Sequence, residues 1–147
     1  MKIVIINYGA GNIQSIKFAI KRLGYDAVLS SNVEEIQSAD KVIFPGVGEA
    51  SSAMKKLRDS GLDRIIPNLK QPVLGICLGM QLMCHSSEEG TTTGLRIFDV
   101  DVVKFDTSVK VPQIGWNQIN KLKSDLFEGV SENEHIYLVH SFYAPLC

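Results

Sequence analysis

The stretch Pro72-Val73-Leu74-Gly75-Ile76-Cys77-Leu78-Gly79-Met80-Gln81 constrains the fold more than any other part of the chain. Its first half is a short apolar run of strand character. The apolar run from Leu78 to Cys84, with glycine only at position 79, predicts a helix opening directly after it. A strand that passes straight into a helix needs a sharp turn, and glycine on both sides of Cys77 relieves the crowding there. This is the layout of a nucleophile elbow, with cysteine where serine is usual. The helix N-terminus places partial positive charge beneath the sulfur, and the Leu78 amide is a candidate donor to a developing oxyanion. Gln81 falls one helical turn beyond Cys77 on the same face. The alternative reading is a buried cysteine in a tight turn.

The first half of the chain alternates as an α/β sheet requires. Residues 2–6 read as a strand, and Ile13, Ile16, Ala19, Ile20 and Leu23 form one helical stripe stopped by Gly24. Residues 27–29 predict a second strand, 33–38 a short helix, and 41–44 a third strand halted by Pro45-Gly46. Helical patterning returns over 50–58 and 62–69 before the elbow strand. Strands alternating with helices imply a mostly parallel sheet covered on both faces. Beyond Gly94 the rhythm changes, and residues 95–105, 114–122 and 135–139 predict strands joined by loops, an antiparallel ribbon with edge strands.

Composition narrows the function classes. With 147 residues, 45% apolar and 21% charged, the chain has the makings of one soluble domain over residues 1–147. A net charge of −1 supports neither nucleic acid nor an anionic membrane surface as a partner. No apolar run reaches membrane-spanning length, and the first residues read as a strand and not as a signal peptide. The three cysteines, Cys77, Cys84 and Cys147, lack metal-site or disulfide spacing, which suits a reducing, cytoplasmic setting with no metal and no cofactor. Cys84 reads as core.

Two glycine-rich loops end early strands, where ligands of open α/β sheets gather. Gly9-Ala10-Gly11-Asn12 is reminiscent of a phosphate loop, but Gln14 stands where a dinucleotide fingerprint needs its third glycine. Pro45-Gly46-Val47-Gly48-Glu49 follows the third strand and, with Leu78, is a candidate oxyanion hole; the plain alternative is a connecting turn.

Taken in order, Asn7-Tyr8-Gly9-Ala10-Gly11-Asn12, Pro45-Gly46-Val47-Gly48, the elbow, Pro112-Gln113-Ile114-Gly115-Trp116-Asn117 and His140-Ser141-Phe142-Tyr143 resemble the class I (triad-type) glutamine amidotransferases. Within that family the chain looks most like the glutaminase subunits whose ammonia goes to a (β/α)8-barrel cyclase in histidine biosynthesis. The resemblance implies a flavodoxin-like fold and a heterodimer. It implies that Cys77 attacks the side-chain amide of glutamine and that the amides of Gly46, Val47, Gly48 and Leu78 stabilise the oxyanion, with Val47 as a switch. It further implies that Gly79, Gln81, Glu89, His140, Ser141 and Phe142 hold the substrate, while Gly9, Ala10, Gly11, Asn12, Trp116 and Asn117 face the cyclase. Read from the residues alone, Trp116 is also a core candidate, and Gln81, Glu89 and His140 also read as ordinary helix, loop and strand residues.

One part of the family pattern lies outside these 147 residues. The family's triad is completed by a histidine and a glutamate in a His-Pro-Glu segment beyond the position of Cys147. The histidines present are His85, His135 and His140. A helix continued from the elbow would carry His85 roughly 12 Å along its axis, outside hydrogen-bonding reach of Cys77. The expectation is therefore an incomplete, C-terminally truncated amidotransferase domain, nearly inactive by itself and with an uncovered sheet edge. Two other classes remain open: a non-catalytic glutamine- and partner-binding subunit, and a different cysteine hydrolase on the same sheet.

Overall fold

In the computed structural model, which describes residues 1–146, the backbone divides into two compact units. The first comprises Met1–Val103 with the terminal segment from Ala144, and the second is Lys104–Tyr143. Cys147 lies outside the described residues.

The first unit is built on four parallel strands in the order β2-β1-β3-β4: β1 (Ile3–Ile6), β2 (Ala27–Ser30), β3 (Lys41–Phe44) and β4 (Val73–Gly75). Register pairs Ile3 with Ala27 and Lys41, and Phe44 with Gly75. Because strand side chains alternate, β1 feeds two cores at once. Val4 and Ile6 join Val42 and Phe44 on one face, against Ile36 of α2 (Val33–Gln37), Ala53, Met54 and Leu57 of α3 (Ala50–Asp59) and Leu62 of α4 (Leu62–Ile65). Ile3 and Ile5 turn to the other face, against Ile20, Ile13 and Ile16 of α1 (Ile13–Arg22). All four β1 side chains are buried, as a central parallel strand demands.

Local chemistry sets the helix ends. The Asn12 side chain accepts from Ser15 N–H at the start of α1, and Asn32 accepts from Glu35 N–H at 2.9 Å at the start of α2. The helix expected over residues 62–69 is shorter: α4 ends at Ile65 and a 3-10 turn takes Ile66–Asn68. Pro67 lacks the N–H that an α-helix would need there.

Two further expectations are corrected. The elbow helix, α5 (Leu78–Leu82), does not run on to Cys84; β5 (Cys84–Ser87) follows it, so His85 is a strand residue. The carbonyls of Leu82, Met83 and Cys84 accept instead from Leu95, Ile97 and Arg96 N–H, at 2.8–3.1 Å. These partners are remote in sequence, and they outweigh the local helical pattern. The strand expected over 95–105 begins later, as β7 (Phe98–Lys104), and it pairs with β5 in parallel and not as an antiparallel ribbon. A short strand, β6 (Thr92–Thr93), is antiparallel to β5, and the chain reverses again before β7, restoring the direction.

The second unit does contain the expected antiparallel ribbon. β8 (Gln113–Gln118) pairs with β9 (His135–His140), Trp116 opposite Tyr137 and Gln113 opposite His140. A two-residue strand, β10 (Phe142–Tyr143), follows. Among the described residues no helix is long and apolar enough to cross a membrane.

Candidate active site

Cys77 sits between β4 and α5 with φ 54° and ψ −119°, a left-handed backbone that a non-glycine residue adopts only where its surroundings force it. Its side chain is exposed. Leu78, the first residue of α5, is buried, and helix-opening amides have no acceptor inside their own helix. Gln81 is 9% exposed and its N–H donates to the Cys77 carbonyl at 3.1 Å, placing it one turn below the cysteine. Cys84, by contrast, is completely buried.

The end of β3 lies hard against this turn. A Cβ on Gly46 would come within 2.8 Å of the Leu78 carbonyl carbon, and one on Gly79 would overlap the Phe44 carbonyl oxygen and lie 3.0 Å from the Pro45 carbonyl carbon. The two glycines therefore let the backbone of residues 44–46 and the first turn of α5 touch directly. Beyond Gly46 the segment opens, with Val47 half exposed and Gly48 at φ 93° with free space where a side chain would be. The arrangement brings Cys77, Leu78 and Gly79 together with Gly46, the start of the expected oxyanion strand.

Tyr8, which the sequence reading did not single out, completes this corner. It is 5% exposed, packs at 5.5 Å between ring centroids from Phe44, and its hydroxyl donates to the Pro45 carbonyl at 2.7 Å. Burial, and then the charge of Cys77, push the hydroxyl well above the usual tyrosine range. The available signal was an aromatic residue inside an otherwise polar and glycine-rich loop, Asn7-Tyr8-Gly9-Ala10-Gly11-Asn12. That loop is braced from two sides. A Cβ on Gly11 would fall 2.7 Å from Pro45 Cβ, and Lys56 Nζ donates to the Gly9 carbonyl at 2.9 Å.

Glu89 lies in the 3-10 turn Glu89–Thr91, partly buried, and its carboxylate accepts from Ala50 N–H at 2.9 Å at the head of α3. The neighbouring carboxylate of Glu49 accepts from Ser52 and Ser51 N–H and from the Ser51 hydroxyl, which hold it below the usual glutamate range. Both acids thus gather just past the expected oxyanion segment, at a helix N-terminus that favours negative charge. His85 is exposed on β5, its Nδ1 3.7 Å from Asp99 Oδ1.

The remaining expected residues belong to the second unit. Trp116 is 69% exposed and meets Tyr137 edge-on at 5.5 Å, with Ile114 and Val139 paired beside them on the same face of the ribbon. Asn117 points to the opposite face, as strand alternation requires, so the two interface candidates are separated. Its side chain donates to the Gly115 carbonyl and accepts from Gln113 Nε2 at 3.1 Å. That face lines a cavity of about 410 Å³ together with Phe105, Lys110, Leu138, His140 and Tyr143. His140 Nδ1 donates to the Phe142 carbonyl at 2.8 Å, and its Nε2 is buried without a hydrogen-bond partner among the described residues. The Ser141 carbonyl accepts from Phe105 N–H.

Comparison with known proteins agrees with this geometry. Residues 4–145 match the family model of class-I glutamine amidotransferases. Imidazole glycerol phosphate synthase subunit HisH of Bacteroides thetaiotaomicron is 57% identical over 150 residues, which cover 100% of this chain and 76% of that protein. The subunits of the same name from Haemophilus influenzae and Yersinia pseudotuberculosis are 46% and 43% identical, over 72% and 76% of their lengths. A crystal structure of a glutamine amidotransferase shares the fold with TM-score 0.70 at 19% identity, over 95% of this chain and 71% of the other. The chain belongs to the class I glutamine amidotransferase family, within the group of imidazole glycerol phosphate synthase HisH subunits.

Proposed function

We propose that the chain, as a single amidotransferase domain, is the glutaminase subunit of imidazole glycerol phosphate synthase and works in the cytoplasm beside a (β/α)8-barrel cyclase. The observation that carries this reading is Cys77, exposed at positive φ and adjoining a glycine-lined strand end. In the proposed chemistry the Cys77 thiolate adds to the side-chain carbonyl of glutamine. The carbon–nitrogen bond then breaks, ammonia leaves with one added proton, and a thioester remains. Water cleaves the thioester, releasing glutamate and the thiol.

The Leu78 amide and the amides of Gly46-Val47-Gly48 serve the tetrahedral oxyanion. Val47, half exposed in an open segment, has room to turn as a switch. Gln81 and Glu89 serve the amino-acid head group, Gly79 gives the close approach that sets the turn, and the family resemblance gives His140, Ser141 and Phe142 of the second unit a substrate-binding role as well. In the first unit the Gly9-Ala10-Gly11-Asn12 loop is a cyclase-facing element; in the second the Trp116 face of the ribbon is one, while Asn117 braces the ribbon from its other face. Trp116, Tyr137, Ile114 and Val139 form an aromatic and aliphatic patch of the kind that anchors protein interfaces.

Association with a barrel cyclase tests this reading. The cyclase is expected to co-purify with the chain and to accelerate alkylation of Cys77 by a glutamine-mimicking chloroketone. Trp116→Ala is expected to weaken association about tenfold or more. Alkylation unaffected by the cyclase, together with unchanged affinity of the Trp116 variant, would count against the assignment.

A further inference from the structure

We infer that Tyr8 is a positioning residue for the oxyanion strand: its hydroxyl, donating to the Pro45 carbonyl at 2.7 Å, fixes the peptide that leads into Gly46-Val47-Gly48. This rests on the amidotransferase reading above. A peptide unit is planar, so the direction of the Pro45 carbonyl also sets the direction of the Gly46 N–H. Pro45 is fully buried, and Tyr8 is 5% exposed with its ring against Phe44, so donor and acceptor meet away from solvent. Immediately downstream the constraint ends: Val47 is half exposed and Gly48 has nothing within 4 Å of where a side chain would be. The segment is therefore clamped at its entrance and free beyond it, and Tyr8 supplies a polar part of the clamp.

Removing the hydroxyl while keeping the ring leaves a buried carbonyl without that donor, a cost that rotation of the 45–46 peptide relieves. Such a rotation redirects the Gly46 amide. Burial, and then the charge of Cys77, hold Tyr8 in its protonated form, so it stays a donor.

The consequence is specific to the tetrahedral state. An aldehyde analogue of glutamine adds to Cys77 as a hemithioacetal and uses the oxyanion donors, whereas glutamine protecting Cys77 from iodoacetamide reports ground-state binding alone. In the 147-residue chain, Tyr8→Phe is expected to weaken the aldehyde about fivefold to tenfold. Protection by glutamine, the iodoacetamide rate of Cys77 and the thermal midpoint are expected to stay close to those of the parent chain. Equal aldehyde affinity in the two proteins would overturn the inference. A parallel loss of aldehyde affinity, glutamine protection and thermal midpoint would also overturn it, since that is general loosening. If the parent chain itself fails to bind the aldehyde, the proposed role of Cys77 as the nucleophile of a glutamine site fails, and the inference with it.

Discussion

Replacing Gly79 by alanine is expected to destabilise the first unit by about 3 kcal/mol or more, the upper range for forcing atoms into a filled site. The added methyl would overlap the Phe44 carbonyl oxygen and press on the Pro45 carbonyl carbon. Both are backbone atoms at the end of a central strand, and neither can turn aside as a side chain would. Against a typical domain stability of about 5–15 kcal/mol, such a loss shifts the denaturation midpoint far. Gly48→Ala is the informative contrast. Its new methyl enters open space, leaving only a left-handed backbone cost of about 1–2 kcal/mol. Urea denaturation of the two variants checks this, and equal midpoints would mean that the Gly46–Gly79 contact does not set the elbow.

A polypeptide of these 147 residues is expected to hydrolyse glutamine at least about 100-fold more slowly than the HisH subunit of Bacteroides thetaiotaomicron, the scale of general acid–base help, because His85 is engaged with Asp99 and His140 with the Phe142 carbonyl. The first unit's histidine, His85, is exposed beside Asp99 on β5, a strand residue and not part of the elbow helix. His140 directs Nδ1 to the Phe142 carbonyl. The HisH subunit of Bacteroides thetaiotaomicron extends beyond the matched region, which is 76% of its length. Ammonia release from glutamine, measured side by side on the two proteins, decides this. Comparable turnover would show that the 147 residues carry their own base.

The elbow and the parallel sheet were legible because both follow from local chemistry. Glycines flanking Cys77 ask for a tight turn, and the unbroken Ile3-Val4-Ile5-Ile6 run asks for burial on both faces. The end of α5 was not legible. Met83 and Cys84 continue an apolar helical pattern, and only the remote amides of residues 96–98 claim their carbonyls in place of a further helical turn. β6 has two residues, too few for any periodicity. Trp116 and Asn117 were grouped by resemblance, although strand alternation alone sends neighbours to opposite faces. Tyr8 was passed over because its partner is a backbone carbonyl 37 residues away, which no local pattern announces.

The most direct test of Cys77 as the nucleophile of a glutamine site is its alkylation by a glutamine-mimicking chloroketone, followed by peptide mass spectrometry. Exposure alone would make Cys77 react before the buried Cys84, so the comparison that matters is with a chloroketone of equal size lacking the amino-acid head group. The predicted result is labelling of Cys77 at least about tenfold faster by the glutamine mimic, with protection by L-glutamine, because a bound head group holds the reactive carbon near the sulfur. Equal rates for the two reagents, with no protection, would contradict the assignment.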